Sequence, residues 1–170
     1  IENGAIIIGK TNTAELGVGG HTTNRLFGPT SNVYDLSLSA GGSSGGAGAA
    51  VAAQLVPFAD GTDQMGSCRS PAAYSNIYGF RPTPGLIASV RSVSQKNLPI
   101  LTTPGFLSRT PDDMAIILDA ATGNNKLDPH SFNLKYSFAD TEINDFEFKN
   151  IKIGWLSDMN GNYKFENEIL

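Results

Sequence analysis

Apolar residues fall along this chain in short runs separated by long glycine- and serine-rich stretches, and those runs predict the elements. Ala5–Ile8 is an unbroken aliphatic run, the pattern of a short buried strand, and Gly9 closes it. Ala14-Glu15-Leu16 predicts a helical turn before Gly17, Gly19 and Gly20 break it. His21–Leu38 reads as loop, punctuated by Gly28-Pro29. Gly41–Gly46 is a glycine–serine loop. From Ala47 the run AGAAVAAQLV sets small and apolar residues at helical density, predicting a closely packed buried helix that Pro57 ends. Phe58-Ala59 leads into a polar turn over Asp60–Arg69. A helix is then expected with Ser70 as N-cap and Pro71 at its first position. Arg81-Pro82-Thr83-Pro84-Gly85 reads as a rigid turn. Thr110-Pro111-Asp112-Asp113 opens a helix through about Thr122, with Met114, Ile116, Ile117 and Leu118 along it and Gly123 closing it. Ile151–Leu156 alternates as a strand does, and Glu168-Ile169-Leu170 reads as the start of another helix.

Position 1 is not methionine, the first strand begins within five residues, and the last residues fall inside an element. The chain is therefore expected to be a single partial domain, 1–170, cut at both ends. Its 18.0 kDa and 40 % hydrophobic content suit one globular core. The Ala5–Ile8 run falls far short of the roughly 20 residues that span a bilayer, which argues against a membrane protein. Ile1-Glu2-Asn3 opens no signal-peptide pattern, so a cytoplasmic location is expected. One cysteine, Cys68, excludes an internal disulfide, and two histidines, His21 and His130, leave little for a metal site.

A net charge of −4 argues against a non-specific nucleic-acid binder. That charge is uneven: residues 1–110 hold 7 basic and 5 acidic side chains, and residues 111–170 hold 5 and 11. Glycine is skewed the other way, with 16 of 19 before position 110. The first two-thirds must turn tightly, and the acidic last third reads as a solvated face.

Three stretches carry the letters of chemistry. Gly4–Thr11 matches a phosphate-binding loop, but its intervening Ala-Ile-Ile-Ile is itself the strand, so a strand followed by a turn is the simpler account. Gly41-Gly42-Ser43-Ser44-Gly45 matches a nucleophile elbow. An α/β-hydrolase would then use Ser43 with His130 and Asp128, although Tyr34–Ala40 is a weak strand to feed such an elbow. The third is Asp60–Arg69, where Ser67 sits in a tight turn whose successive N–H groups can converge on an oxyanion.

The two serine loops together, joined by a small-residue helix, change the picture. The string GGSSGGAGAAVAAQLVPFADGTDQMGSCRSPAAYSNIYGFRPTPG resembles the amidase-signature family of serine hydrolases. GAIIIGKTNTAELGVGG, TTPGFLSRTPDDMAIILDAATG and NIKIGWLSD extend the likeness over most of residues 4–157. The resemblance implies an α/β fold with a mixed, mostly parallel sheet flanked by helices. It implies a Ser–Ser–Lys triad without metal or organic cofactor, acting on a small-molecule amide. Ser67 aligns with the nucleophile and Ser43, 24 residues earlier, with the bridging serine that follows a cis peptide bond. The N–H groups of Gln64, Met65, Gly66 and Ser67 align with the oxyanion hole; Ser44, Asp63 and Arg69 align with supporting positions.

Met65 stands where the family usually has glycine, as in the branch containing the cyclic nylon-oligomer hydrolase. Only its backbone has to serve the hole. Cys68 is read as a small buried residue and Lys10 as structural. The family's lysine lies upstream of the GKTN-like segment, outside this chain, so these residues alone are expected to be inactive or nearly so. The likeness extends also to the A subunits of glutamine-dependent tRNA amidotransferases, and a catalytically dead relative is the non-enzyme alternative. A surface left open by the missing parts would favour homo-oligomerisation.

Overall fold

The computed structural model describes residues 3–89, 101–140, 149, 151–155, 159, 161–162 and 164. A two-residue antiparallel ribbon, β1 (Thr23–Asn24) with β2 (Gly28–Pro29), lies in the first segment. The main sheet holds β3 (Phe58–Asp63), β4 (Tyr78–Phe80) and β5 (Thr103–Ser108) in the order β3-β5-β4. Helices α1 (Gly45–Ala52) and α2 (Arg69–Tyr74) pack on one face, and α3 (Pro111–Ala121) packs on the other.

Strand alternation sorts the side chains between these layers. Ala59 and Leu107, paired across β3 and β5, join Ala47, Val51, Cys68 and Ala72. Phe58, Phe80 and Phe106 turn the other way, onto Ile87, Met114, Ile117 and Leu118. The helix-bearing face continues along the same register with Gly61 opposite Gly105 and Asp63 opposite Thr103. A Cβ on Gly61 would lie 2.8 Å from Ser44 Oγ and 2.9 Å from Cys68 Sγ. The glycines thus let the loops that flank α1 and α2 settle directly on the sheet.

The expected sheet flanked by helices is present. Among the described residues, however, the ladders run antiparallel, because β5 enters between β3 and β4 and opposes both. The polar turn expected from Asp60 begins instead as strand: Asp60, Gly61, Thr62 and Asp63 each have a partner on β5. Helix α1 stops at Ala52, short of Pro57, where Gln54 takes a φ of 62°. Arg109 Nη1 donates to the carbonyls of Val51 (3.2 Å) and Val56 (2.8 Å), tying off that end.

Helix α2 begins at Arg69 with Cys68, not Ser70, in the capping position. The cause is Asp63, whose carboxylate accepts from the first N–H groups and leaves Ser70 no such duty. Helix α3 follows its local signals closely: Thr110 Oγ1 accepts from the Asp113 N–H at 3.0 Å, Pro111 is the first residue, and Gly123 follows at φ 141°.

Two expected strands do not form among the described residues. Ile6, Ile7 and Ile8 are 74–85 % exposed and carry no ladder among the described residues. Residues 151–155 are likewise irregular, with Ile153 and Trp155 exposed; Leu156 and the expected terminal helix at 168–170 lie outside the described residues. A strand needs a neighbour for its N–H and C=O groups, and apolar residues alone do not supply one. Among the described residues no helix is long and apolar enough to cross a membrane.

Candidate active site

The first serine loop is held from the N-terminal side. The Gly42–Ser43 peptide bond is cis, as the resemblance implied. The Ser43 carbonyl accepts from the Ala14 N–H (3.0 Å) and from Thr22 Oγ1 (3.1 Å), while Thr22 Oγ1 accepts from the Gly45 N–H at 2.8 Å. Thr22 is therefore buried and inserted between the loop and the start of α1. Asn12 acts similarly one turn on: its carbonyl accepts from the Gly46 N–H at 3.1 Å, and its side chain reaches Gly28 and Thr30. A Cβ on Gly46 would strike the Asn12 backbone.

The second loop is organised by one carboxylate. Asp63 is fully buried at the end of β3. Its Oδ1 accepts from the Gly66 N–H at 2.8 Å; its Oδ2 accepts from the N–H groups of Cys68 (3.1 Å) and Arg69 (3.3 Å). Arg69 closes on both oxygens, Nε to Oδ2 at 3.1 Å and Nη2 to Oδ1 at 3.0 Å. Burial pushes the Asp63 carboxyl upward, but the Arg69 hydrogen bond and the three backbone donors outweigh it and hold it well below the ordinary carboxylate range. Arg81 approaches the same residue from β4, with Nε 3.4 Å from Oδ1.

The two loops meet through backbone: the Ser44 N–H donates to the Ser67 carbonyl at 3.1 Å. Ser43 and Ser44 are buried and Ser67 is half-buried, so the three serines expected from sequence gather at one place. The Ser44 hydroxyl and the Cys68 thiol both lie over Gly61. Burial first, then the charge of Asp63, pushes that thiol up to about 12, and Cys68 is fully enclosed. A thiolate nucleophile is thereby disfavoured, in line with its reading as a buried small residue.

The hole-forming turn is narrower than its four expected donors. The Gly66 N–H is already given to Asp63, whereas those of Gln64, Met65 and Ser67 meet no acceptor among the described residues. Met65 is exposed and is not among the residues with positive φ, so its side chain does not obstruct the backbone role. No Lys, His, Asp or Glu side chain bonds to the hydroxyl of Ser43 or Ser67 among the described residues.

The rival sites do not assemble. His130 is exposed, its N–H bonds Asp128 Oδ1, and its carbonyl lies against Gly85, in contacts that do not involve Ser43. Gly4–Thr11 is exposed and irregular, followed only by a single helical turn at Glu15–Gly17 and not by an α-helix that could complete a phosphate loop, and Lys10 is exposed with it. Among the described residues no three of His, Cys, Asp and Glu cluster as metal ligands. Sequence reasoning passed over Thr22, Asn12 and Arg81. Their signal was present in the polar runs TN and TTN and in the Arg-Pro turn, but the partners lie too far along the chain to be read.

Comparison with known proteins agrees with this geometry. The Amidase family model matches residues 1–169. The A subunit of the glutamyl-tRNA(Gln) amidotransferase from Saccharolobus solfataricus is 40 % identical over 158 residues, covering 93 % of this chain and 32 % of that protein. Its counterpart of the same name from Coxiella burnetii is 43 % identical over 130 residues, 76 % of this chain and 26 % of its own length.

Among solved structures, a bacterial aryl acylamidase of the amidase-signature family superposes with a TM-score of 0.73 at 42 % identity, over 77 % of this chain and 27 % of that one. The 6-aminohexanoate cyclic dimer hydrolase complexed with substrate gives 0.71 at 36 %, over 78 % and 28 %. The chain thus spans about a third of the length of the relatives it matches. With the cis Gly42–Ser43 bond, the joined serine loops and a family match along nearly its whole length, the chain belongs to the amidase-signature family.

Proposed function

We propose that this chain carries the nucleophile half of an amide-cleaving active site, with Ser67 as nucleophile and Ser43 as proton relay. The observation that carries this is the Ser44 N–H bond to the Ser67 carbonyl, which sets the cis-bonded serine loop against the turn holding Ser67. Ser67 Oγ adds to the carbonyl carbon of a carboxamide while its proton passes to Ser43 Oγ. Ser43 in turn gives its own proton to a neutral base, the lysine that the family resemblance puts upstream of residue 1.

The oxygen of the tetrahedral intermediate takes up the negative charge, and the N–H groups of Gln64, Met65 and Ser67 face it. Collapse breaks the C–N bond as Ser43 returns a proton to the leaving nitrogen. That step matters because an unprotonated amide anion is a very poor leaving group. Water then releases the acid from the Ser67 ester. Ser44, Asp63 and Arg69 support the turn without contacting substrate.

A second reading is favoured by the named relatives. The matching proteins from Saccharolobus solfataricus and Coxiella burnetii are both A subunits of amidotransferases. On that reading the carboxamide is glutamine and the ammonia passes to the substrate of a partner protein. Two structural neighbours, an aryl acylamidase and a cyclic dimer hydrolase, favour free amide hydrolysis instead, while a third is again an amidotransferase A subunit.

Labelling the intact enzyme with a fluorophosphonate probe, followed by peptide mass spectrometry, tests the nucleophile. An adduct on Ser67 that disappears in Ser67→Ala is the expected result. An adduct on Ser43, or amide turnover that survives Ser67→Ala, would overturn it. Anilide hydrolysis by the purified enzyme, against glutamine-dependent ammonia release that requires co-purifying subunits, separates the two readings.

A further inference from the structure

We infer that Arg81 is a positioning residue for the Ser67 turn, anchoring the backbone at the point where that turn leaves the sheet. The inference rests on Ser67 being the nucleophile. Arg81 follows directly on β4, and its guanidinium reaches across the ends of the other two strands. Its Nε donates to the Asp63 carbonyl at 3.3 Å, and its Nη2 donates to the Leu101 carbonyl at 3.1 Å. Thr103 Oγ1 adds a second donor to the same Asp63 carbonyl at 3.4 Å. The three strand ends are thereby tied at the base of the turn.

Asp63 takes three of the turn's N–H groups, so its backbone and its carboxylate must both be fixed. Arg69 grips the carboxylate from the helix side, and its own side chain is 54 % exposed. Arg81 is more enclosed, at 27 %, and it alone of the two also holds the Asp63 main chain. A rotation of the peptide after Asp63 would re-aim the N–H groups of Gln64 and Met65, the first two of the turn. A lysine in place of Arg81 has one compact ammonium and cannot span both carbonyls with fixed donors.

The test compares Arg81→Met and Arg81→Lys with Arg109→Met in the intact enzyme. Arg109 bridges two carbonyls elsewhere and makes no bond to Asp63, so it reports on fold alone. The fluorophosphonate labelling rate of Ser67, corrected for the folded fraction, should fall about tenfold to a hundredfold in Arg81→Met, since displacements near 1 Å cost that much. In amide hydrolysis kcat should fall with KM little changed. Arg81→Lys should recover part of the rate, and Arg109→Met should lower the melting temperature without lowering the corrected rate.

Amide hydrogen exchange supplies an independent readout, with protection of the Gly66 and Cys68 N–H groups expected to drop in Arg81→Met and not in Arg109→Met. A folded Arg81→Met that labels at the wild-type rate would overturn the inference, as would rates that track folded fraction equally in both variants. If wild-type Ser67 does not label, the proposed function fails, and exchange still decides for Arg81: unchanged protection at residues 64–69 overturns its positioning role.

Discussion

The two faces of the same three strands differ in bulk, above all toward the ends that carry the serine loops. Toward α3 the strands present Phe58, Phe80 and Phe106, packed on Met114, Ile117 and Leu118. Toward α1 and α2 only Leu107 is large, packed on Val51; the rest of that face, Ala59, Gly61, Gly105 and Asp63, meets alanine, cysteine and serine. Large side chains bury much apolar area and keep the layers apart; small ones bury little and let backbone approach backbone. The first face supplies cohesion. The second gives up bulk so that two loops can exchange hydrogen bonds within contact distance of the sheet.

Substitutions on the two faces should therefore fail in different ways. The largest effect is expected for Asp63→Ala, which strands a guanidinium and three backbone N–H groups: a loss of about 3 kcal/mol in stability by denaturant unfolding. Activity in the same variant should fall at least about a hundredfold as the turn loses its aim. The charge matters as well as the shape. Because folding lowers the Asp63 pKa, its contribution is complete above the ordinary carboxylate value of about 3.9 and drains away as pH falls below it. Melting curves from pH 5 downward should show wild type losing stability more steeply than Asp63→Asn; equal slopes would contradict the assignment.

On the cohesive face, Ile117→Ala should cost about 3 kcal/mol through its cavity while activity per folded molecule stays the same. Gly61→Ala should invert that pattern. Its added methyl must push against Ser44 and Cys68, costing about 2 kcal/mol, with a loss of activity beyond what unfolding explains. Equal specific activity in the two variants would remove the distinction between the faces. The smallest effect is expected for Thr110→Ala, about 1 kcal/mol from the lost cap of α3 in thermal unfolding, with no kinetic change.

Features whose cause lies within a few residues were legible in the chain. Thr110-Pro111 and Gly123 bound α3 because capping is settled by neighbours in sequence, whereas the turn expected at Ala14-Glu15-Leu16 forms one residue later, over Glu15–Gly17, with Leu16 at φ 56°. The serine loops were legible through family likeness, including the cis bond between Gly42 and Ser43. Strands were not legible. Asp60-Gly61-Thr62-Asp63 has the composition of a turn and becomes a strand because β5 lies beside it, while Ile6-Ile7-Ile8 has the composition of a strand and has no neighbour among the described residues.

The amino-acid order settles which serines, glycines and capping residues exist and how far apart they stand. Their chemistry depends on contacts that span the chain. Ser44 reaches Ser67, Thr22 reaches Ser43 and Gly45, and Arg81 reaches Asp63 and Leu101. Those bonds become available only once the sheet has brought its strand ends together, because hydrogen bonds act over about 3 Å and carry no information about partners many residues away.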